Sequence, residues 1–347
     1  MPFDLDESFR PPRWLANPHL QSILPSLPLR RRALARLLRP VLAASRELLL
    51  DCGDGVRLQA FHSSPAATDA RVAVILHGWE GSSDSAYVLS LAQQLFERGF
   101  EVFRLNLRDH GATHQLNREL FHSCRLPEVI GAVRCIQGLH PAKRLHLAGF
   151  SLGGNFMLRV AALADEAGLD IAKVVAVSPV LDPEATLEAM ESGLATYHRY
   201  FVRKWSRSLV IKESAWPEDY ELSDVLRLAN LRAMTAELVR RYTQFASLGD
   251  YLRGYAIVGA RLATLHVPAT LITALDDPII PARDLDRLAP SASLDLVVTR
   301  RGGHCGFLER FSGWTWAERR SAAELDAATR PRVRALPPAK HGASRRS

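Results

Sequence analysis

The stretch GFSLG, from Gly149 to Gly153, constrains the fold more than any other part of the sequence. It follows the apolar run "KRLHLAGF" and precedes "LGGNFMLRVAALADEAG", whose apolar spacing predicts a helix. At such a strand-to-helix turn a serine at the apex is strained, and glycines two residues away on either side let strand and helix approach. A plain glycine-rich turn is the alternative interpretation, and the rest of the sequence decides between them.

Strand-like runs and helical patterns alternate on both sides of this turn. The runs "RVAVILHGW", "EVFRLNLRDHG" and "IAKVVAVSPVLD" are typical of buried strands, and amphipathic stretches separate them. The alternation predicts an α/β fold with a mostly parallel, twisted sheet and helices on both faces. Two shorter runs, "ELLLD" and "VRLQAFH", are joined by "CGDG", which predicts an antiparallel hairpin at one edge.

The alternation stops between residues 182 and 256 and then resumes. This block has helical patterns and many aromatic residues, and it stands between two predicted strands. We therefore predict a helical cap at 182–256, inserted in a core formed by residues 47–181 and 257–328. Residues 1–46 are expected to pack on that core, and the basic stretch 329–347 is expected to be disordered.

A serine hydroxyl needs a base, and this sequence offers one in the chain order that such a turn requires. His304, in the loop "RGGHCGF" after a predicted strand, would take the proton from Ser151 and return it to the leaving group. An aspartate in "TALDDPIIP" would orient that histidine. Asp276 and Asp277 both compete for this role, and the position of Asp277 in the turn after the strand favours it.

The same reaction needs hydrogen-bond donors for the oxygen that becomes negatively charged. The amide of Leu152, directly after the serine, is the first candidate, and the amide of Trp79 in "HGWEGSS" is the second. His77 and Gly78 would shape that loop. Loss of one such donor typically costs about 3 kcal/mol of transition-state stabilisation. The loop could also cap the following helix through its serines, and the two roles are compatible.

Together these motifs resemble the α/β-hydrolase fold and, more narrowly, the YheT-like hydrolases, which are relatives of ABHD-type lipid hydrolases and of yeast acyltransferases that form ethyl esters. The resemblance spans residues 10–320 and includes "NPHLQS", "HGWEGSS", "AGFSLGGN", "TALDDPIIP" and "GGHCGF". It implies a carboxylic-ester hydrolase. Two positions depart from the family pattern. Asp109 replaces the glycine of an R-G-x-G motif, and Cys124 replaces a glycine after "HS".

Our leading hypothesis is therefore a serine esterase that cleaves acyl esters through an acyl-enzyme. An alcohol acyltransferase that uses the same acyl-enzyme and a non-catalytic binding protein with this fold are the alternatives. The mechanism needs neither a metal nor an organic cofactor. His110, His114 and His122 lack the spacing of metal ligands, so we expect them to make ordinary polar contacts.

Charge and cysteine usage narrow the partners and the compartment. The net charge is +7, but six basic residues lie within 330–347, so the remainder carries about +1 and specific nucleic-acid binding is not expected. The segment "LRRRALARLLRPVLAA" could lie on an anionic membrane surface, although packing against the core is favoured. Four cysteines without a C-x-x-C pair, and no apolar run long enough to span a membrane, favour a cytoplasmic protein. The partner that we expect is a small-molecule acyl ester, such as a lipid.

Overall fold

The computed structural model describes residues 3–67 and 71–328, so the predicted disordered stretch 329–347 lies outside the described residues. The strands are β1 Ser45–Asp51, β2 Arg57–Ser63, β3 Arg71–Leu76, β4 Glu101–Leu105, β5 Arg144–Phe150, β6 Ile171–Val177, β7 Ala269–Ala274 and β8 Leu294–Thr299. The α-helices are α1 Pro18–Ile23, α2 Pro28–Leu34, α3 Arg39–Ala43, α4 Ala86–Glu97, α5 Leu126–Leu139, α6 Leu152–Ala162, α7 Ala164–Ala167, α8 Pro183–Ser192, α9 Ala195–Ala215, α10 Ser223–Arg227, α11 Leu231–Tyr242, α12 Leu248–Tyr255 and α13 Trp316–Ala327. Short 3-10 helices cover Arg13–Leu15, Leu24–Ser26, Ala260–Leu262 and Ala282–Arg287.

The strands form one sheet in the order β1-β2-β4-β3-β5-β6-β7-β8. The pairs β1–β2 and β2–β4 are antiparallel, and every other neighbouring pair in this sheet is parallel. This confirms the prediction of a mostly parallel sheet with an antiparallel hairpin at one edge. The chain runs from β3 outward to β4 and then returns to the other side of β3 with β5. In open α/β sheets, sites form outside the carboxyl ends of the strands at such a reversal.

The inner strands are buried because helices cover both faces of the sheet, as predicted. Helices α5 and α6 pack on one face, and α4 and α13 pack on the other. Strands β3 to β7 are accordingly apolar along most of their length. The sequence patterns did not predict α13, and the segment "ARDLDRLAP" between β7 and β8 contains the 3-10 helix Ala282–Arg287. None of the described helices has the length and apolar character that crossing a bilayer requires.

The arginine-rich segment before β1 folds as short helices against the core. Leu34, Leu38 and Val41 are buried, whereas Leu37 and Leu42 remain 44% and 38% exposed. Helix α2 ends before the proline of "LLRPVLAA", and α3 begins around it, because a proline is tolerated only in the first turn of a helix. The apolar stripe of this segment therefore packs largely against the protein itself.

Five helices, α8 to α12, separate β6 from β7 in the stretch where the sequence predicts the cap. Helix α9 is anchored to the loop after β4 by Lys212, whose side chain is completely buried. The Lys212 ammonium lies 2.9 Å from Oδ1 of Asp109 and donates to the carbonyl oxygens of Asn117 at 2.6 Å and Glu119 at 3.1 Å. A buried charge is tolerated only when it is paired and hydrogen-bonded in this way.

The same contact explains one departure from the family pattern. Asp109, at the family's glycine position, has a φ of 57°, the left-handed conformation that glycine adopts most readily. Aspartate tolerates this conformation better than most residues. Its carboxylate binds Lys212 and accepts a hydrogen bond from the Phe121 amide at 2.7 Å. The second departure is accommodated by Gly254, because a Cβ there would lie 2.7 Å from the sulfur of Cys124.

Candidate active site

Ser151 stands between the end of β5 and the start of α6. Its φ of 51° and ψ of −119° are strained for a residue with a side chain, as expected for a nucleophile at the apex of a tight turn. The turn is tight enough to require its glycines. A Cβ on Gly149 would lie 2.3 Å from the carbonyl oxygen of Gly153, and one on Gly153 would lie 2.4 Å from that of Leu76.

The fold brings Ser151, His304 and Asp277 together in one hydrogen-bonded row. Nε2 of His304 lies 2.9 Å from Oγ of Ser151, and Nδ1 lies 2.9 Å from Oδ2 of Asp277. The other carboxylate oxygen of Asp277 accepts the amide hydrogens of Ile279 and Ile280, at 2.9 and 3.0 Å. With both oxygens occupied and its side chain fully buried, Asp277 is held in a single orientation against the imidazole.

The structure gives the adjacent aspartate a different contact. Oδ1 of Asp276 accepts the amide hydrogen of Gly303 at 2.9 Å, so this carboxylate holds the loop beside His304. Burial raises the pKa of Asp276, and the bond from Gly303 opposes that shift. Of the two candidates from the sequence, Asp277 therefore occupies the position beside the imidazole.

The surroundings of His304 favour a proton on the imidazole. Burial alone lowers its pKa, but the charge of Asp277, the hydrogen bond to that carboxylate and the neighbouring Cys305 together raise the pKa well above its usual value. A carboxylate that accepts from Nδ1 also leaves Nε2 facing the serine hydroxyl. This arrangement suits a base that must accept the serine proton and be stabilised once it carries it.

His77 fixes the shape of the loop in which the second oxyanion donor is predicted. The Leu107 amide donates to Nε2 of His77 at 3.2 Å, so the proton of the neutral ring is on Nδ1, which donates to the carbonyl oxygen of Gly78 at 2.7 Å. Burial lowers the pKa of His77 to about 4, which keeps the ring neutral. A neutral, fully buried histidine therefore determines the path of the backbone at this loop.

The two predicted oxyanion donors lie on the segments that flank Ser151. The loop with Trp79 passes directly beside the serine, because a Cβ on Gly78 would lie 3.2 Å from the Cβ of Ser151. Leu152 is the first residue of α6, where a helix amide has no acceptor of its own. Within the described residues, no backbone hydrogen bond uses the amide of Trp79 or Leu152.

Helix α9 packs against the Trp79 loop from the outside. The Trp79 ring stacks on Phe201 with centroids 5.3 Å apart and meets Trp205 edge-on at 5.2 Å. The Lys204 ammonium donates to the carbonyl oxygen of Glu80 at 2.6 Å. Burial raises the pKa of Glu80 to about 7, against the opposing effect of the Lys204 charge. Helix α9 thus contacts the proposed oxyanion loop through both ring stacking and a hydrogen bond.

The motif "NPHLQS" supports the histidine loop, a role that the sequence patterns did not predict. Oγ of Ser22 accepts the amide hydrogen of His304 at 2.8 Å. Gln21 is fully buried, and its amide nitrogen donates to the carbonyl oxygens of Leu15 and Leu308 at 2.8 and 2.9 Å. Its side-chain oxygen accepts the Leu308 amide hydrogen at 2.6 Å. Only the resemblance to a family singled out this motif.

A cavity of about 590 Å³ opens beside Ser151 and His304. Helices of the block between β6 and β7 supply much of its wall. Apolar and aromatic side chains dominate the lining, among them Leu187, Met190, Phe201, Trp205, Leu252 and Ile279. Cavities of this size and character hold small organic ligands. An apolar chain attached to a group at Ser151 fits this environment.

The remaining histidines singled out in the sequence make separate contacts. Nδ1 of His110 bonds to the carbonyl oxygen of Arg108 at 2.7 Å, and Nε2 of His114 lies 2.8 Å from Oγ of Ser208. Burial lowers the pKa of His122 to about 3, which keeps that ring neutral. Among the described residues, these three histidines do not form a cluster of metal-ligating atoms.

Comparison with known proteins finds a matching family, similar sequences and solved structures with a similar fold. The model of the alpha/beta hydrolase fold family matches residues 72–311. "Putative esterase YheT" of Escherichia coli (strain K12) is 28% identical over 316 residues, which is 88% of each chain. "Phospholipase ABHD3" of Mus musculus is 23% identical over 79% of this chain and 70% of its own length.

Solved structures with a similar fold include two proteins that are named as an esterase and as a phospholipase. The Pyrococcus furiosus esterase Pf2001 has a TM-score of 0.53 at 15% identity over 80% of this chain and 90% of its own. A bacterial membrane phospholipase A has a TM-score of 0.54 at 17% identity over 86% and 92%.

Proposed function

Because this chain belongs to the alpha/beta hydrolase fold family, and its relatives bear esterase and lipase names, we propose that it is a serine hydrolase that cleaves carboxylic esters of acyl chains. The observation that carries the proposal is the row Ser151–His304–Asp277, with both contacts at 2.9 Å. A strained serine beside an apolar cavity supports it further.

The proposed mechanism proceeds through an acyl-enzyme. Oγ of Ser151 attacks the ester carbonyl carbon while Nε2 of His304 takes its proton, and Asp277 stabilises the imidazolium that results. The amides of Trp79 and Leu152 donate to the oxyanion of the tetrahedral intermediate. His304 then protonates the alcohol as it leaves. In the second half, His304 activates a water molecule, which releases the acid from the serine.

The substrate we propose is an ester whose acyl chain enters the 590 Å³ cavity. Its apolar walls favour a hydrocarbon chain, and a lipid ester meets this requirement. An alcohol could replace water in the second half of the reaction, which would give the acyltransferase that the sequence left open. Adding ethanol to the assay and analysing the products distinguishes the two acceptors.

The decisive experiment compares variants of the purified protein on p-nitrophenyl esters from acetyl to palmitoyl. Ser151→Ala should lose about 10⁶-fold in kcat and all labelling by a fluorophosphonate probe. Asp277→Asn should lose about 10⁴-fold, because it would stabilise the wrong imidazole tautomer. Asp276→Asn is the matched control, and it should lose far less because its oxygen contacts a backbone amide. Turnover that survives Ser151→Ala would refute the proposal, and a larger loss in Asp276→Asn would refute the assigned acid.

We also propose that the protein works in the cytoplasm. Cys52, Cys124, Cys135 and Cys305 are all free thiols, as expected for a reducing compartment. Burial raises the pKa of Cys52 to about 12 and that of Cys124 to about 11, so these two thiols stay protonated and weakly reactive. Cell fractionation followed by immunoblotting tests this assignment, and recovery from an oxidising compartment would contradict it.

A further inference from the structure

Three metal-ligating side chains meet at the end of the sheet opposite to Ser151. His62 lies on β2, Glu101 is the first residue of β4, and His140 follows the last residue of α5. Glu101 opens its strand, whereas Ser151 follows the end of its own, so the two places lie at opposite ends of the parallel strands. Nε2 of His62 lies 3.0 Å from Oε2 of Glu101, and Nε2 of His140 lies 3.3 Å from the same oxygen.

We propose that His62, Glu101 and His140 bind a divalent transition-metal ion of the zinc class, at a site that takes no part in ester hydrolysis. Two imidazoles and one carboxylate form a donor set that Zn²⁺ commonly uses. Each residue offers one ligand atom, and the three atoms lie within 4.8 Å of one another. Within residues 3–67 and 71–328, no other group of three or more His, Cys, Asp or Glu side chains brings its ligand atoms this close together.

The distances from Glu101 to the two histidines suit ligands of a tetrahedral ion. Zinc bonds of 2.0–2.1 Å to nitrogen and oxygen place neighbouring ligands about 3.3 Å apart. The separations of 3.0 and 3.3 Å between Glu101 and the two histidines are close to that value. The His62 and His140 side chains are 20% and 16% exposed, so an ion can enter from solvent and a water molecule can complete the coordination.

The ligands are already held by their neighbours. The His62 ring stacks on Phe103, its cross-strand partner, with centroids 4.3 Å apart and an angle of 11°. The Lys143 ammonium lies 2.6 Å from Oε1 of Glu101, which leaves Oε2 for the two histidines. Hydrogen bonds from outer-shell residues to a ligating carboxylate are a regular feature of metal sites. A bound ion would join β2 to β4 and to the turn before β5.

A network without metal is the competing interpretation, because Glu101 could simply accept hydrogen bonds from both rings and from Lys143. The two interpretations differ in the effect of the lysine charge. Lys143→Gln keeps a donor to Oε1 and removes one positive charge a few ångströms from the ion. It should therefore tighten zinc binding by about tenfold. In a network without metal, this variant would bind zinc no better than the wild type.

The test is a titration of the full chain, stripped with a chelator, with Zn²⁺ and separately with Co²⁺. We expect one equivalent to bind, a rise in the thermal unfolding midpoint with Zn²⁺, and a visible Co²⁺ spectrum of nitrogen and oxygen ligands without the thiolate charge-transfer band. His62→Ala, Glu101→Gln and His140→Ala should each abolish these signals, whereas the exposed His266→Ala should retain them.

Several results would overturn the proposal. These are the absence of saturable binding, binding that survives His62→Ala and His140→Ala, and a cobalt spectrum dominated by thiolate. Circular dichroism without metal identifies variants that fail to fold, and Lys143→Gln tests the site by a gain that misfolding cannot produce. Ester hydrolysis should be unchanged after chelation, so failure of this proposal is distinguishable from failure of the proposed esterase.

Discussion

Gln21 offers the sharpest test of how the amino-terminal segment supports the reaction. Gln21→Leu keeps the approximate shape of the side chain but removes its hydrogen bonds to Leu15 and Leu308 at a fully buried position. Three bonds at about 1 kcal/mol each predict a loss of about 3 kcal/mol in the free energy of unfolding, and more if the backbone groups stay unpaired. Because the adjacent Ser22 holds the amide of His304, the histidine loop should also shift.

Urea unfolding and steady-state kinetics measure the two consequences separately. We expect kcat to fall by 10- to 100-fold with a smaller change in KM, since a displacement of about 1 Å in a catalytic group costs about 10²-fold. Leu29→Ala is the matched control, because Leu29 lies in the same amino-terminal segment with its side chain 59% exposed and outside the cavity lining. A loss in Gln21→Leu of less than about 0.5 kcal/mol, together with unchanged kcat, would refute this reasoning.

Three further predictions test His304 as the base, the glycines of the turn at Ser151, and the contact of helix α9 with Asp109. The ascending limb of kcat/KM against pH should have its midpoint above 6.5, because the pKa of His304 is raised and the protonated imidazole cannot accept a proton. Asp277→Asn should move that midpoint to lower pH, because it removes the negative charge that raises the pKa of His304. In urea unfolding, Gly153→Ala should cost more than about 3 kcal/mol, because its Cβ would lie 2.4 Å from a carbonyl oxygen; Gly154→Ala, with its nearest atom at 3.1 Å, should cost about 1 kcal/mol. Lys212→Met should lower the free energy of unfolding by about 3–5 kcal/mol, because it leaves the buried carboxylate of Asp109 without its charged partner. Adding Asp109→Asn should recover part of this loss, and a double-mutant cycle without any recovery would contradict the reasoning.

The sequence predicted those parts of the fold that depend on local patterns. Buried parallel strands read as continuous apolar runs, so the alternation of strands and helices was visible without any knowledge of long-range contacts. The serine turn was equally local, because its glycines and its serine stand within five residues. The positions of His304 and Asp277 beside Ser151 were predictable for a related reason. Each follows a recognisable strand, and parallel strands bring their carboxyl ends to one edge of the sheet.

The contacts that the sequence did not predict join distant segments through polar atoms. Gln21 and Leu308 are 287 residues apart, and no periodic pattern relates a side-chain amide to the backbone that it will bind. His62, Glu101 and His140 likewise stand on three different elements, so their spacing resembles no metal-binding motif. Such groups become neighbours only when the order of strands in the sheet is known.

The role of Asp109 shows how a departure from a pattern can be accommodated elsewhere in the molecule. A glycine at this position would satisfy the left-handed backbone but would offer nothing to a buried ammonium. The aspartate accepts the conformational cost and supplies the charge that Lys212 requires. Helix α9 carries this lysine and also the rings that pack on Trp79. One helix therefore ties the loop after β4 to the proposed oxyanion loop, and its position should affect both substrate binding and the rate of the chemical step.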